Sequence, residues 1–162
     1  MAFTASGIFR EWIVGPMMQA SGTGYTGLDS DTVKAALYNN SGTPDKDAAV
    51  GLTGYAAATS AWVVANEVTD ATNWVAGGRA LASKTFTTPS TGVAMFDAAD
   101  LAGGGNVTLA NVYGCLNYDD TITAGTVADQ GVCFNYFGGA QSVTAGTFTI
   151  VWSANGIMRI TV

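Results

Sequence analysis

Residues 147–162, TFTIVWSANGIMRITV, alternate apolar and polar side chains on both sides of Asn155-Gly156. That alternation is the period of a β-strand and not of a helix. A two-residue loop at Asn155-Gly156 would set Trp152 opposite Arg159 and Ile150 opposite Thr161, mixing apolar and polar residues on each face. A three-residue loop, Ala154-Asn155-Gly156, instead puts Phe148, Ile150 and Trp152 on one face with Met158, Ile160 and Val162. Thr147, Thr149 and Val151 then share the other face with Arg159 and Thr161. The expectation is a terminal hairpin with Gly156 in the left-handed conformation and the C-terminus in the core.

Working back from that hairpin, segments rich in β-branched and aromatic residues recur between clusters of Gly, Asn, Asp and Pro. They run over 8–14, 33–38, 62–68, 80–87, 93–96, 112–118, 132–137, 147–152 and 157–162. Asn39-Asn40-Ser41-Gly42, Gly77-Gly78, Gly103-Gly104-Gly105 and Gly138-Gly139 read as the turns between them. Eight or nine short strands predict an all-β, single-domain β-sandwich, jelly-roll-like, with little helix. The best helical segments, 45–50 and 94–102, are short and interrupted, so each is expected to form one turn at most. Residues 1–32 read as an N-terminal strand plus an extended arm, GPMMQASGTGYTGLDSD over 15–31, and residues 33–162 as the sandwich body.

The composition limits what such a domain does. The chain has 162 residues, enough for one sizeable core, with a formal net charge of −6. Charged residues are 11% of the total, against roughly 25% in an ordinary soluble domain, so much of the surface must be Thr, Ser, Asn, Gly and Ala. The six Lys and Arg are scattered singly, which makes nucleic acid and anionic membrane poor partners. No apolar run reaches the roughly 18 residues of a membrane span, and the N-terminal residues lack the basic and apolar regions of a signal peptide. The chain contains no His and only two cysteines, Cys115 and Cys133, without metal-type spacing. Buried free thiols are the leading expectation for the pair, with a disulfide as the rival.

Without His, catalysis would rest on paired carboxylates or on a Ser with a Lys, and neither occurs in a recognisable arrangement. An enzyme is therefore not expected, nor any cofactor or metal. The acidic clusters Asp29-Ser30-Asp31, Asp45-Lys46-Asp47 and Asp119-Asp120 read as turns, with calcium as the competing use of their oxygens. In Asp119-Asp120-Thr121 the aspartates are expected to accept hydrogen bonds from turn amides. Of the four tryptophans, Trp74 follows the polar stretch 70–73 and is the one expected to be exposed. It is the candidate glycan contact if the domain is a carbohydrate-binding module.

Three segments, ALYNN at 36–40, YGCLNYDDT at 113–121 and FGGAQSVTAGTFTIVW at 137–152, carry a resemblance. Their order resembles small virion structural proteins of tailed bacteriophages, among them capsid (head) decoration or cement proteins. The resemblance covers most of the chain from about residue 33 onward and consists of strand and turn patterns. It implies a protein on the outer surface of the virion capsid that binds the major capsid protein and itself, as a homotrimer with a dimer as the rival. Phe3, Ile8, Phe9, Trp12, Met17 and Met18 are the residues expected to contact the shell or a neighbouring copy.

Overall fold

The computed structural model describes residues 3–9, 26–123 and 127–161. Trp12, Met17, Met18 and most of the expected first strand lie outside these residues.

The β-rich composition produces ten strands among the described residues. The two longest are consecutive: β7 (Val107–Asp119) and β8 (Gln130–Gly146) form an antiparallel hairpin. Strand β2 (Val33–Tyr38) pairs along the near end of β7, from Val33↔Asp119 to Tyr38↔Gly114. Short strands complete the sheet at its edges, β1 (Gly7–Ile8) beside β8 and β3 (Arg79–Ala80) beside β2. A second sheet joins β4 (Thr85–Ser90), β5 (Val93–Asp97) and β10 (Met158–Thr161) in the order β10-β5-β4. Strands β6 (Leu101–Ala102) and β9 (Thr149–Ile150) make a two-stranded third. Leu37, Leu116 and Val132 of the first sheet, Phe96 and Met158 of the second, and Leu101 and Ile150 of the third belong to one apolar core. This is the expected all-β, helix-poor, single-domain sandwich. Among the described residues helix is confined to two 3-10 turns, Val50–Leu52 and Val64–Asn66.

Trp62 occupies the centre of that core. Its ring lies 5.2 Å from Tyr38, 5.6 Å from Phe134, 5.9 Å from Phe9 and 6.0 Å from Phe3, centroid to centroid, with edge-on or tilted geometry throughout. The Tyr38 hydroxyl donates to the Trp62 carbonyl at 2.8 Å, which satisfies a buried polar group on each side. Gly114 leaves room for this packing, since a Cβ there would sit 2.8 Å from the Phe3 ring. Phe3 and Phe9 are therefore buried in the chain's own core, and Ile8 packs half-buried against it. Neither Phe3 nor Phe9 is a free surface contact, which corrects the expectation for those two, while Ile8 keeps part of its surface exposed.

Four local expectations differ from the structure; the first, a strand over 80–87, is split at 81–84 into β3 and β4, which lie in different sheets. Residues 62–68 form no strand; the backbone enters the core at Trp62, makes a 3-10 turn, and touches the sheet through the single bridge Tyr38↔Glu67. A buried Trp flanked by β-branched residues reads as a strand whether or not a partner edge is free. Gly138 and Gly139 are not a turn between strands but a bulge inside β8, where both adopt positive φ and the register jumps from Val112↔Gln141 to Gly114↔Tyr136. The terminal hairpin does not pair with itself. Gly156 does adopt φ +76° and closes a turn by donating to the Ser153 carbonyl at 2.8 Å. Beyond the turn, however, β10 joins β5, while β9 joins β6. The expected facing survives, with Ile150 and Met158 buried and Phe148, Trp152 and Ile160 half-buried. Alternation sets which side of a strand faces inward and leaves its hydrogen-bonding partner open.

Cys115 and Cys133 are buried free thiols on adjacent strands. The Asn117 side-chain amide lies 3.9 Å and 3.6 Å from their sulfurs and donates to Asn135 Oδ1 at 2.6 Å. Asn135 passes the connection on to the Ile157 carbonyl at 3.1 Å, tying the first sheet to the C-terminal segment. Burial pushes both thiols above their ordinary range, so neither is a nucleophile at neutral pH.

Gly156→Val tests the turn. A Cβ at this position meets the Phe96 carbonyl oxygen at 2.6 Å, and a β-branched residue disfavours positive φ. The substitution is expected to cost more than about 1 kcal/mol in denaturant unfolding. An unchanged midpoint would contradict the turn geometry.

Candidate functional site

Two features of the structure are chemically distinctive, and they lie at different places on the β7–β8 hairpin. The first is at its turn. Asp119, the last residue of β7, and Asp31, just before β2, are both buried, and the pairing of β2 with β7 brings them together. Asp119 Oδ1 accepts from the Thr121 amide at 3.0 Å, the turn role expected for it. Its other oxygen meets no N–H or hydroxyl among the described residues, which disfavours the charged form of the carboxyl. Burial, joined by the charge of Asp31, pushes Asp119 up to about 7. Asp31 moves the other way. Burial alone would raise it, but hydrogen bonds from the Thr26 hydroxyl and from the Thr26 and Gly27 amides outweigh that and hold it below its ordinary value.

Around this pair, Lys34 Nζ lies 2.8 Å from Asp120 Oδ2 at the rim. Asp129 and Glu67 are also raised, chiefly by burial. Glu67 receives the Tyr55 hydroxyl at 2.8 Å and the Gly77 amide at 2.9 Å, fastening the loops to the sheet. No group of three or more metal-ligating side chains occurs among the described residues. The Asp45 cluster is a turn in which Asp45 accepts from the Asp47 amide at 2.9 Å.

The second feature is the far half of the hairpin. From Gly138 to Gly146 no residue of β8 is buried, and β4 is exposed along its whole length, Phe86 included. Between Asp129 and Arg159 the sequence has no Asp, Glu, Lys or Arg. This uncharged run borders a groove of about 480 Å³ between the far half of β8 and the segment following β9. Tyr136, Phe137, Phe148 and Trp152, all half-buried, supply its aromatic surface, and Gln141 and Thr149 its polar rim.

Trp74, expected to be exposed, is fully buried. Its ring meets Phe148 edge-on at 5.6 Å, and the Arg79 guanidinium lies 5.8 Å from the ring centroid. The polar residues before it are polar for another reason. Asp70 caps a turn by accepting from the Thr72 and Asn73 amides at 3.0 Å and from Thr108 of β7 at 3.1 Å, folding Trp74 beneath it. Trp74 is therefore corrected from a glycan contact to a core residue. The groove aromatics went unrecognised because Trp152 reads as core by strand alternation. The absence of charge from 130 to 158 is the signal that marks the region.

Comparison with family models, with curated proteins and with solved structures gives no match to this chain.

The carboxyl pair predicts a pH dependence. In the unfolded chain Asp119 loses its proton near 3.8, whereas in the fold it keeps it to about 7. Its contribution to stability is complete below the unfolded value and disappears as pH rises through about 7, and Asp129 and Glu67 act in the same direction. Asp31 contributes oppositely, above its ordinary value. Unfolding free energy is expected to fall by a few kcal/mol between pH 4 and pH 8, one pH unit being worth about 1.4 kcal/mol. Asp119→Asn, which cannot ionise, is expected to flatten much of that slope. An equal slope in both proteins, measured by urea unfolding, would contradict the pairing.

Proposed function

We propose that the chain is a non-enzymatic virion structural protein that binds the major capsid protein and decorates the outer surface of a tailed-phage head, assembled as a homotrimer. The observation that carries this reading is that two uncharged strand segments, β4 and the far half of β8, contain no buried residue. A strand such as β4, exposed along its whole length, adds little to its own chain's core, and uncharged surface is cheap to desolvate against a neighbour. The resemblance of the strand and turn segments to head decoration proteins supplies the partner, and the acidic net charge keeps such a surface soluble before assembly. Cys115 and Cys133 are buried free thiols in the hydrogen-bonded interior, in keeping with a structural role.

Bare heads of the phage that encodes the chain, mixed with purified protein, are expected to bind it saturably on their exterior. Each contact between copies should bury at least about 1,000 Å². Thr87→Lys with Thr144→Glu puts opposite charges on exposed positions of β4 and β8 and leaves the core untouched. This double variant is expected to fold normally and to bind heads at least tenfold more weakly. Absence of binding by the native protein, or its location inside the head or only on the tail of reconstructed particles, would refute the assignment.

A further inference from the structure

The groove beside β8 has properties that a protein–protein contact does not require. Its four aromatic rings are half-exposed yet fixed from behind by the core. Phe148 rests edge-on against buried Trp74, and Phe137 lies 6.4 Å from Phe148. Tyr136 stacks on Phe3 at 6.2 Å with the planes 15° apart. Trp152 is pinned by its indole N–H, which donates to the Ala99 carbonyl at 3.2 Å, and by its backbone N–H, which donates to Asp100 Oδ1 at 3.0 Å. Rings held in this way lose little freedom when a ligand stacks on them.

The polar groups around the rings are amides and hydroxyls, and no Asp, Glu, Lys or Arg lines the groove. Several have spare hydrogen-bonding capacity. The Gln141 side-chain nitrogen reaches only the Phe137 and Gly139 carbonyls at 3.5 Å and 3.4 Å, near the limit of a useful bond. The volume of about 480 Å³ lies within the range of roughly 300–1,000 Å³ typical of ligand sites.

We propose that this groove binds a neutral oligosaccharide, stacking sugar rings on Trp152 and Tyr136 and hydrogen-bonding their hydroxyls through Gln141 and Thr149. A sugar ring offers an apolar C–H face that suits an aromatic surface and a rim of hydroxyls that suits amides and side-chain hydroxyls. The missing cations exclude carboxylated and sulfated sugars, whose charge would lose hydration with no partner. An uncharged lining accepts a neutral sugar at no such cost. Gln141 lies on the far half of β8 and so borders the proposed capsid surface, whereas Trp152 and Tyr136 lie outside it, and glycan binding by the chain alone is read without capsids, so either function fails or stands without the other.

The test uses the full chain on an array of neutral hexose and N-acetylhexosamine oligosaccharides, with sialylated and sulfated glycans alongside, followed by calorimetry on the best neutral binder. Saturable binding to a neutral oligosaccharide is expected, with saturation-transfer contacts to the aromatic protons of the native protein. Gln141→Ala alters an exposed side chain outside the core and is expected to weaken binding at least tenfold. Trp152→Ala, checked for folding by circular dichroism, is expected to abolish it. Three results would each overturn the proposal: no saturable binding to any neutral saccharide, preference for the acidic glycans, or an affinity unchanged by Gln141→Ala.

Discussion

The packing of four aromatic rings around Trp62 is the interaction on which the rest of the fold depends. Phe3 and Phe9 come from the N-terminal segment, Tyr38 from β2 and Phe134 from β8, so one side chain joins parts of the chain up to about 130 residues apart. Burying a large aromatic stabilises by several kcal/mol, and paired rings add about 0.5–1.5 kcal/mol each. With Trp62 in place, β2 and the near ends of β7 and β8 are covered on both faces, which explains why nearly every residue there is apolar or hydrogen-bonded. The buried polar residues Asn117, Asp119 and Asp31 lie in or beside this same region and each is hydrogen-bonded there, Asn117 to Asn135, Asp119 to the Thr121 amide and Asp31 to the Thr26 and Gly27 amides.

Away from Trp62 the structural demand relaxes. Strand β8 continues past Phe137 as an uncharged ribbon with no buried residue, and β4 hangs on β5 alone. A domain that keeps such strands without burying them in its own core has surface to offer a neighbour, and the capsid reading rests on this contrast between a covered centre and bare margins. The aromatic groove lies on the boundary: its rings have their backs in the core and their faces in solvent.

Much of the fold was legible in the sequence. Strand β2 was expected at its observed limits, and 112–118 and 132–137 fall inside β7 and β8, because β-branched and aromatic runs bounded by Gly and Asp carry a direct physical signal. Gly156 was expected at positive φ for its position after Asn155, and it is found there. Partners were not legible. The alternation of 147–161 assigns faces correctly, Val162 lying outside the described residues, yet is equally satisfied by pairing with β6 and β5 or with itself. The candidate sites suffered from the same limit. Trp74 looked exposed because its neighbours are polar, but that polarity belongs to the Asp70 turn. Asp119 and Asp31 are 88 positions apart in sequence, and only the pairing of β2 with β7 brings them together.

The most direct test of this account is native-state hydrogen exchange on the intact chain and on Trp62→Ala. Backbone amides that hydrogen-bond within 35–38, 114–119 and 131–134 are expected to exchange only through global unfolding, with one common opening free energy equal to that from denaturant titration. In Trp62→Ala that common value should fall by about 3–5 kcal/mol in all three strands together. Separate opening energies for the three strands, or a loss of protection confined to the loop around residue 62, would show that the ring cluster does not hold the sheet together.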